Sequence, residues 1–219
     1  MVWIDKWIDN EKRKIRIQKE INSIFKSNPD IQDHRKQYPW VTGFLGNLDS
    51  NVMFVAENPS LTKVIEASKA LSDKDSECQW NISKGDKIFR KTLKKYRFKE
   101  SNAEEKGGWK CYITNVAKVA YKPYEWAKMK DETRFQIIKK FAPILEKEMS
   151  MMPMLRVIAV MGVTRLREIF IKLLKENLIA SPERVKIEYI WHYAYFNRGG
   201  TNIEKYERYF LRIKDLIYS

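Results

Sequence analysis

The sequence is short of sulfur and imidazole. It holds two cysteines, Cys78 and Cys111, in 219 residues, too few for a disulfide scaffold or for a four-thiolate zinc or iron–sulfur centre. With two histidines, His34 and His192, a metal cage built by the protein alone is not expected, and no other cofactor is called for. Long apolar runs are missing as well. The stretch 155–163 is interrupted by Arg156 and falls far short of the roughly 18–20 residues that span a bilayer. The first residues, with Trp3, Asp5, Lys6, Trp7 and Asp9, lack the basic-then-apolar pattern of a secretion signal. These absences lead to the expectation of a soluble, cytoplasmic protein of a reducing compartment, without a membrane partner.

What is present is a core and an excess of positive charge. Hydrophobic residues make up 44% and aromatics 13%, which excludes intrinsic disorder as the main state. The length fits one full-sized domain, and a single domain over 1–219, with a helical extension over 1–30, is the expected organisation. The formal net charge is +14, which speaks about partners rather than fold. Half of that excess lies in residues 84–99, where Lys84, Lys87, Arg90, Lys91, Lys94, Lys95, Arg97 and Lys99 face one acid, Asp86. Charge so concentrated suits a polyanion, and nucleic acid is the favoured partner. A solvated, lysine-rich surface is the alternative.

Apolar spacing predicts an N-terminal helix over the first 25 residues, with Trp3, Ile4, Trp7, Ile8, Ile15, Ile21 and Ile24 on one side. Further helices are expected at about 61–71, 84–96, 131–151, 164–177 and 202–217. The second of these opens on Ser83 and Asp86 in capping-box spacing. Ile203, Tyr206, Phe210, Ile213 and Ile217 form the buried face of the last. Strands are expected at 51–56, 110–116, 155–161 and 185–191. Short β-rich runs alternating with helices argue for a three-layer α/β/α sandwich around a four-stranded, mostly parallel sheet. The strand ends carry Asn58, Asn115, Gly162 and His192, and in open α/β sheets sites lie at that edge. Each has a plain structural reading too: Asn58 in a turn, Ser60 and Asn115 as helix caps, His192 as a core histidine.

Taken in order, the strand followed by Glu57-Asn58-Pro59-Ser60, then Tyr112-Ile113-Thr114-Asn115-Val116-Ala117-Lys118, then Gly162, then His192-Tyr193-Ala194-Tyr195 with Arg198 resembles the uracil-DNA glycosylase superfamily. The resemblance covers about 51 to the C-terminus. Trp80, Ser83, Gly85-Asp86 and Phe89-Arg90 look like the segment between the first two motifs in bacterial and archaeal members. In the first motif Asn58 stands before the proline, similar to the mismatch-specific and single-strand-selective classes. Glu57 is similar to the Glu of the iron–sulfur class, whose cluster needs four cysteines. Asn115 matches the second motif. His192 matches the third, although Tyr193-Ala194 replaces the usual Pro-Ser.

The resemblance implies a monofunctional, base-flipping repair glycosylase that removes uracil or another deaminated base from DNA, working as a monomer. The base leaves as an anion while the sugar becomes oxocarbenium-like, so catalysis is mainly electrostatic stabilisation and placement of a water. Asn58 would hold that water, more slowly than a carboxylate, and Glu57 would activate it or stabilise the cationic sugar. His192 would stabilise charge on the base's carbonyl oxygen. Asn115 would read the base edge, and Trp80 would stack on the extruded base or else belong to the core. Lys87, Lys91 and Lys94 are candidates for backbone contacts. Tyr193, Tyr195 and Phe196, with Arg198, sit where the family inserts a wedge, or pack beneath the last helix. The main alternative is a catalytically weak or inactive nucleic-acid-binding protein of the same fold. An enzyme of free nucleotides is disfavoured by the lack of a Gly-x-Gly-x-x-Gly or Walker-type loop.

Overall fold

The computed structural model describes residues 2–72 and 74–218, the side chains of 2–6 and 79 excepted. Five strands form one sheet: β1 (Phe44–Gly46), β2 (Val52–Ala56), β3 (Tyr112–Asn115), β4 (Val157–Met161) and β5 (Lys186–Ile190), in the order β1-β3-β2-β4-β5. Strands β2 to β5 run parallel, and β1 pairs antiparallel with β3. The expected four strands are therefore joined by a fifth. Its three residues, which follow Gly43 and end on Gly46, both at positive φ, are too short to show a hydrophobic period, which is why this strand reads as loop.

The parallel strands are buried on both faces, and their alternation sorts the side chains into two cores. Met53, Val55, Tyr112, Ile158 and Val160 face a layer of α1 (Val2–Ser27), α5 (Asp131–Ser150) and α6 (Arg165–Lys175). Val52, Phe54, Ala56, Ile113, Val157, Ala159 and Met161 face α3 (Lys84–Lys95) and α7 (Ile203–Tyr218). Phe54, fully buried, lies within 5.7 Å of the Phe89, Phe98 and Phe210 rings. Two shorter helices, α2 (Leu61–Ala70) and α4 (Pro123–Lys128), follow β2 and β3. The expected capping box of α3 is formed by Ser83 and Asp86.

Two packing expectations need correction. On α1 the buried stripe is Ile17, Ile21 and Phe25, while Trp7, Ile8 and Ile15 are exposed. Apolar residues outnumber the positions that α5 can cover, and the stripe with clean four-residue spacing wins. Trp3 and Ile4 lie outside the described side chains. On α7, Ile203 is exposed because it is the first residue of the helix, whereas Tyr206, Phe210, Ile213 and Ile217 are buried.

Candidate active site

The C-terminal ends of β2, β3, β4 and β5 open on one edge of the sheet. Glu57-Asn58-Pro59-Ser60 leaves β2 in a turn that Ser60 closes as the cap of α2. The turn is laced to the segment after β3. Val116 donates to the Ala56 carbonyl and Ala117 to that of Glu57, both at 2.9 Å, and Leu61 donates to the Tyr121 carbonyl at 2.9 Å. Within the turn the half-buried Asn58 donates from Nδ2 to the Pro59 carbonyl at 3.0 Å.

Asn115 ends β3. Its N–H donates to the Gly43 carbonyl at 2.9 Å, its side chain is buried, and its amide Oδ1 has no hydrogen-bond partner. An orphaned acceptor of this kind costs about 1–3 kcal/mol and calls for an explanation; a bound group that donates to it would supply one. His192 follows β5 and opens a short 3-10 turn, Tyr193–Arg198, with Nδ1 accepting the Ala194 N–H at 3.0 Å. Burial lowers its pKa to about 4, aided by Arg198 and Arg165 and opposed by Glu57. The imidazole is therefore neutral at pH 7. With Nδ1 occupied as an acceptor, the proton sits on Nε2, which is left as a neutral donor.

The carboxylate of Glu57 is not free. Arg165 grips it through Nε and Nη2 at 3.0 and 2.8 Å, and Arg134 Nε lies 4.0 Å away. A bidentate pair of this geometry is among the stronger charge-assisted contacts and occupies one lone pair on each carboxylate oxygen.

The remaining sequence candidates divide. Tyr195 and Arg198 are exposed beside His192. Tyr193 is drawn inward, sandwiched between the His192 ring at 4.4 Å and the Phe89 ring at 5.1 Å. Phe196 is buried edge-on against Tyr206. Trp80 is 2% exposed and hydrogen-bonded to Tyr193, so in this structure it offers a base no open face. Lys87 and Lys91 are exposed on α3. Lys94 is exposed as well, but it lines a cleft of about 610 Å³ with Asn51 and Val52, at the edge where β2 begins. That is the opposite end of the sheet from His192. Two members of the basic run do not face solvent at all. Arg90 is buried on the carbonyls of Ala103 and Glu105, and Lys99 on those of Glu105 and Gly107, with Trp109 against both cations. They fold the 101–108 loop.

The turn after His192 docks on the start of α3, and Gly85 makes that possible. A Cβ there would lie 2.4 Å from the Tyr193 carbonyl oxygen, and the Gly85 N–H donates to Asn197 Oδ1 at 2.7 Å. Sequence reasoning missed Arg165 and Arg134. Arg165 was within reach, since it stands three residues past Gly162, where the strand-end argument for β4 points. Arg134 carries no such signal: it lies on the face of α5, far along the chain from Glu57.

A family model described as the uracil DNA glycosylase superfamily matches residues 44–215. The chain belongs to this superfamily. No curated protein matches it. The match runs from β1 into α7, so every strand end of the glycosylase-like site lies within it and α1 precedes it. Membership supports a glycosylase-type hydrolase with DNA as its substrate. Among the described residues no helix is long and apolar enough to cross a membrane.

Proposed function

We propose that the protein is a monofunctional DNA glycosylase that excises uracil or another deaminated base flipped from the stack. The observation that carries this reading is the pair of unused polar groups at one sheet edge, the orphaned Asn115 amide oxygen and the neutral His192 Nε2–H. Asn115 offers an acceptor to a ring N–H and a donor to a carbonyl, the pattern of a deaminated base edge. As the C1′–N bond breaks, its electron pair moves onto the base, and the charge develops on a carbonyl oxygen that His192 is suited to stabilise. A neutral donor suits this task, because it need not lose a proton to the departing anion.

We assign to Asn58 the holding of the attacking water, which adds to C1′ and releases its proton to solvent or to the base. Glu57, held by Arg165, contributes negative potential toward the cationic sugar rather than proton abstraction. Exposed Lys87, Lys91, Tyr195 and Arg198 form the candidate DNA contacts, with Tyr195 and Arg198 nearest the flipped nucleotide. The whole chain is proposed to act as one monomeric, cytoplasmic unit.

The engagement of Glu57 by Arg165 favours a second reading, a nucleic-acid-binding member with little or no cleavage. Both are tested with labelled oligonucleotides carrying uracil, hypoxanthine or xanthine, single-stranded and paired, incubated with the protein and treated with alkali. Scission at one modified position, lost in Asn58→Ala and His192→Ala with DNA affinity retained, is the expected result. Salt-dependent binding without scission on any substrate would leave the binder.

A further inference from the structure

Behind Asn115, on the opposite face of β3, lies a closed polar knot in an otherwise apolar core. Thr114, Lys118 and Glu148 are buried almost completely. The Glu148 carboxylate, reaching in from α5, accepts from Tyr112 Oη at 3.0 Å, from Thr114 Oγ1 at 2.8 Å and from Lys118 Nζ at 2.7 Å. Lys118 Nζ also donates to Thr114 Oγ1. The lysine therefore reaches back four residues and closes a loop around Asn115, Val116 and Ala117. Gly43 seals the knot from the other side: its carbonyl takes the Asn115 N–H, and a Cβ on it would lie 2.9 Å from Lys118 Cδ. Two backbone bonds carry the same segment onto the Glu57 turn, Val116 to Ala56 and Ala117 to Glu57.

A buried ion pair is poor value as a stabiliser. Desolvation of both charges roughly cancels their attraction, and apolar residues of the same size often serve stability as well or better. What such a network supplies is direction, since its members fix one another's orientation. Here the directed element is the residue pair Thr114-Asn115.

We propose that Lys118 and Glu148 are positioning residues that hold the Asn115 amide at the angle needed to read the base. Both are buried away from solvent, and they act through Thr114. This inference rests on the glycosylase reading for its activity readout.

The test is a cycle between Lys118→Met/Glu148→Gln, which removes both charges at similar volume, and Asn115→Ala. In the paired variant the melting temperature is expected to hold, while kcat/KM on a uracil oligonucleotide falls by roughly 100-fold, the cost of a misplacement near 1 Å, mostly through KM. In the Asn115→Ala background the paired change should cost nothing further. Additive losses, or unchanged kcat/KM in the folded variant, would overturn the proposal. Should the paired variant not fold, Thr114→Val cuts the link alone and is read in the same cycle. Should the wild-type protein cleave nothing, the function reading fails by itself. The positioning role is then decided by NMR: one sharp Asn115 side-chain amide signal in the wild type that broadens or splits in either variant supports it, and an unchanged signal refutes it.

Discussion

The depressed pKa of His192 makes a quantitative statement about acid stability. In the unfolded chain the imidazole titrates at its model value of 6.5, and in the folded protein at about 4. Between those values the unfolded state binds more protons, so folding stability rises with pH and is lost as the pH falls from 6.5 toward 4. Each unit of difference is worth about 1.4 kcal/mol. Taken from pH 7 to pH 4.5, His192 alone removes at most about 2.5 kcal/mol, a large share of the roughly 5–15 kcal/mol by which domains are stable. His192→Gln removes the titration. It also removes the Nδ1 acceptor of the Ala194 N–H, which costs about 1 kcal/mol as a lost cap, but equally at both pH values.

The assay is urea unfolding of both proteins at pH 7 and pH 4.5. The wild type should lose about 2.5 kcal/mol more than the variant on acidification. Equal losses would refute the argument that burial keeps the imidazole neutral. The sequence offers an independent check, because it has only two histidines. The NMR spectrum therefore holds two imidazole Hε1 signals, and the one from His192 should titrate near pH 4.

Four further outcomes follow from the geometry. Asn115→Ala should sharply reduce excision, to a residual rate that single-turnover assays still measure, while the melting temperature holds or rises, because the substitution deletes an unpaired buried oxygen; a drop of several degrees in calorimetry would show that the amide is a structural group. Gly85→Ala should push the Tyr193–Arg198 turn off α3 and lower kcat/KM by roughly 100-fold with smaller effect on urea midpoint; full activity would place the turn outside the site. Phe54→Ala should cost about 3–5 kcal/mol in urea unfolding, since the ring is wholly buried among three others. Reversing Lys87 and Lys91 to Glu should reduce the salt slope of DNA binding by about two units while Lys94→Glu leaves it unchanged, and equal effects would place DNA along the whole of α3.

The parallel strands and their polar ends were legible because a doubly buried strand is a short apolar run that stops at a turn, and 52–56 and 157–161 are such runs. Short elements carried too little pattern: β1 has three residues and α4 six. The charge count misled in a specific way. Arg90 and Lys99 belong to a run that reads as solvated, yet both are consumed by carbonyls of the 101–108 loop, which folds back onto them. A lysine's destination is a tertiary fact. The same holds for Glu57, whose partner Arg165 lies 108 residues away in sequence.

That pairing changes how the site's chemistry is apportioned. On the proposed reading, with Glu57 engaged, the groups that would face a flipped nucleotide are one compensated carboxylate, two guanidiniums in Arg165 and Arg198 whose field already disfavours charge on His192, and two carboxamides. On that reading the set has no free carboxylate as proton acceptor, and its guanidiniums would favour a phosphate and a departing base anion. It therefore favours a reaction in which bond breaking runs ahead of water attack, so that the nucleophile needs placement more than activation. An asparagine at 58 is adequate for that division of labour, though slower than a carboxylate, which would also stabilise the cationic sugar.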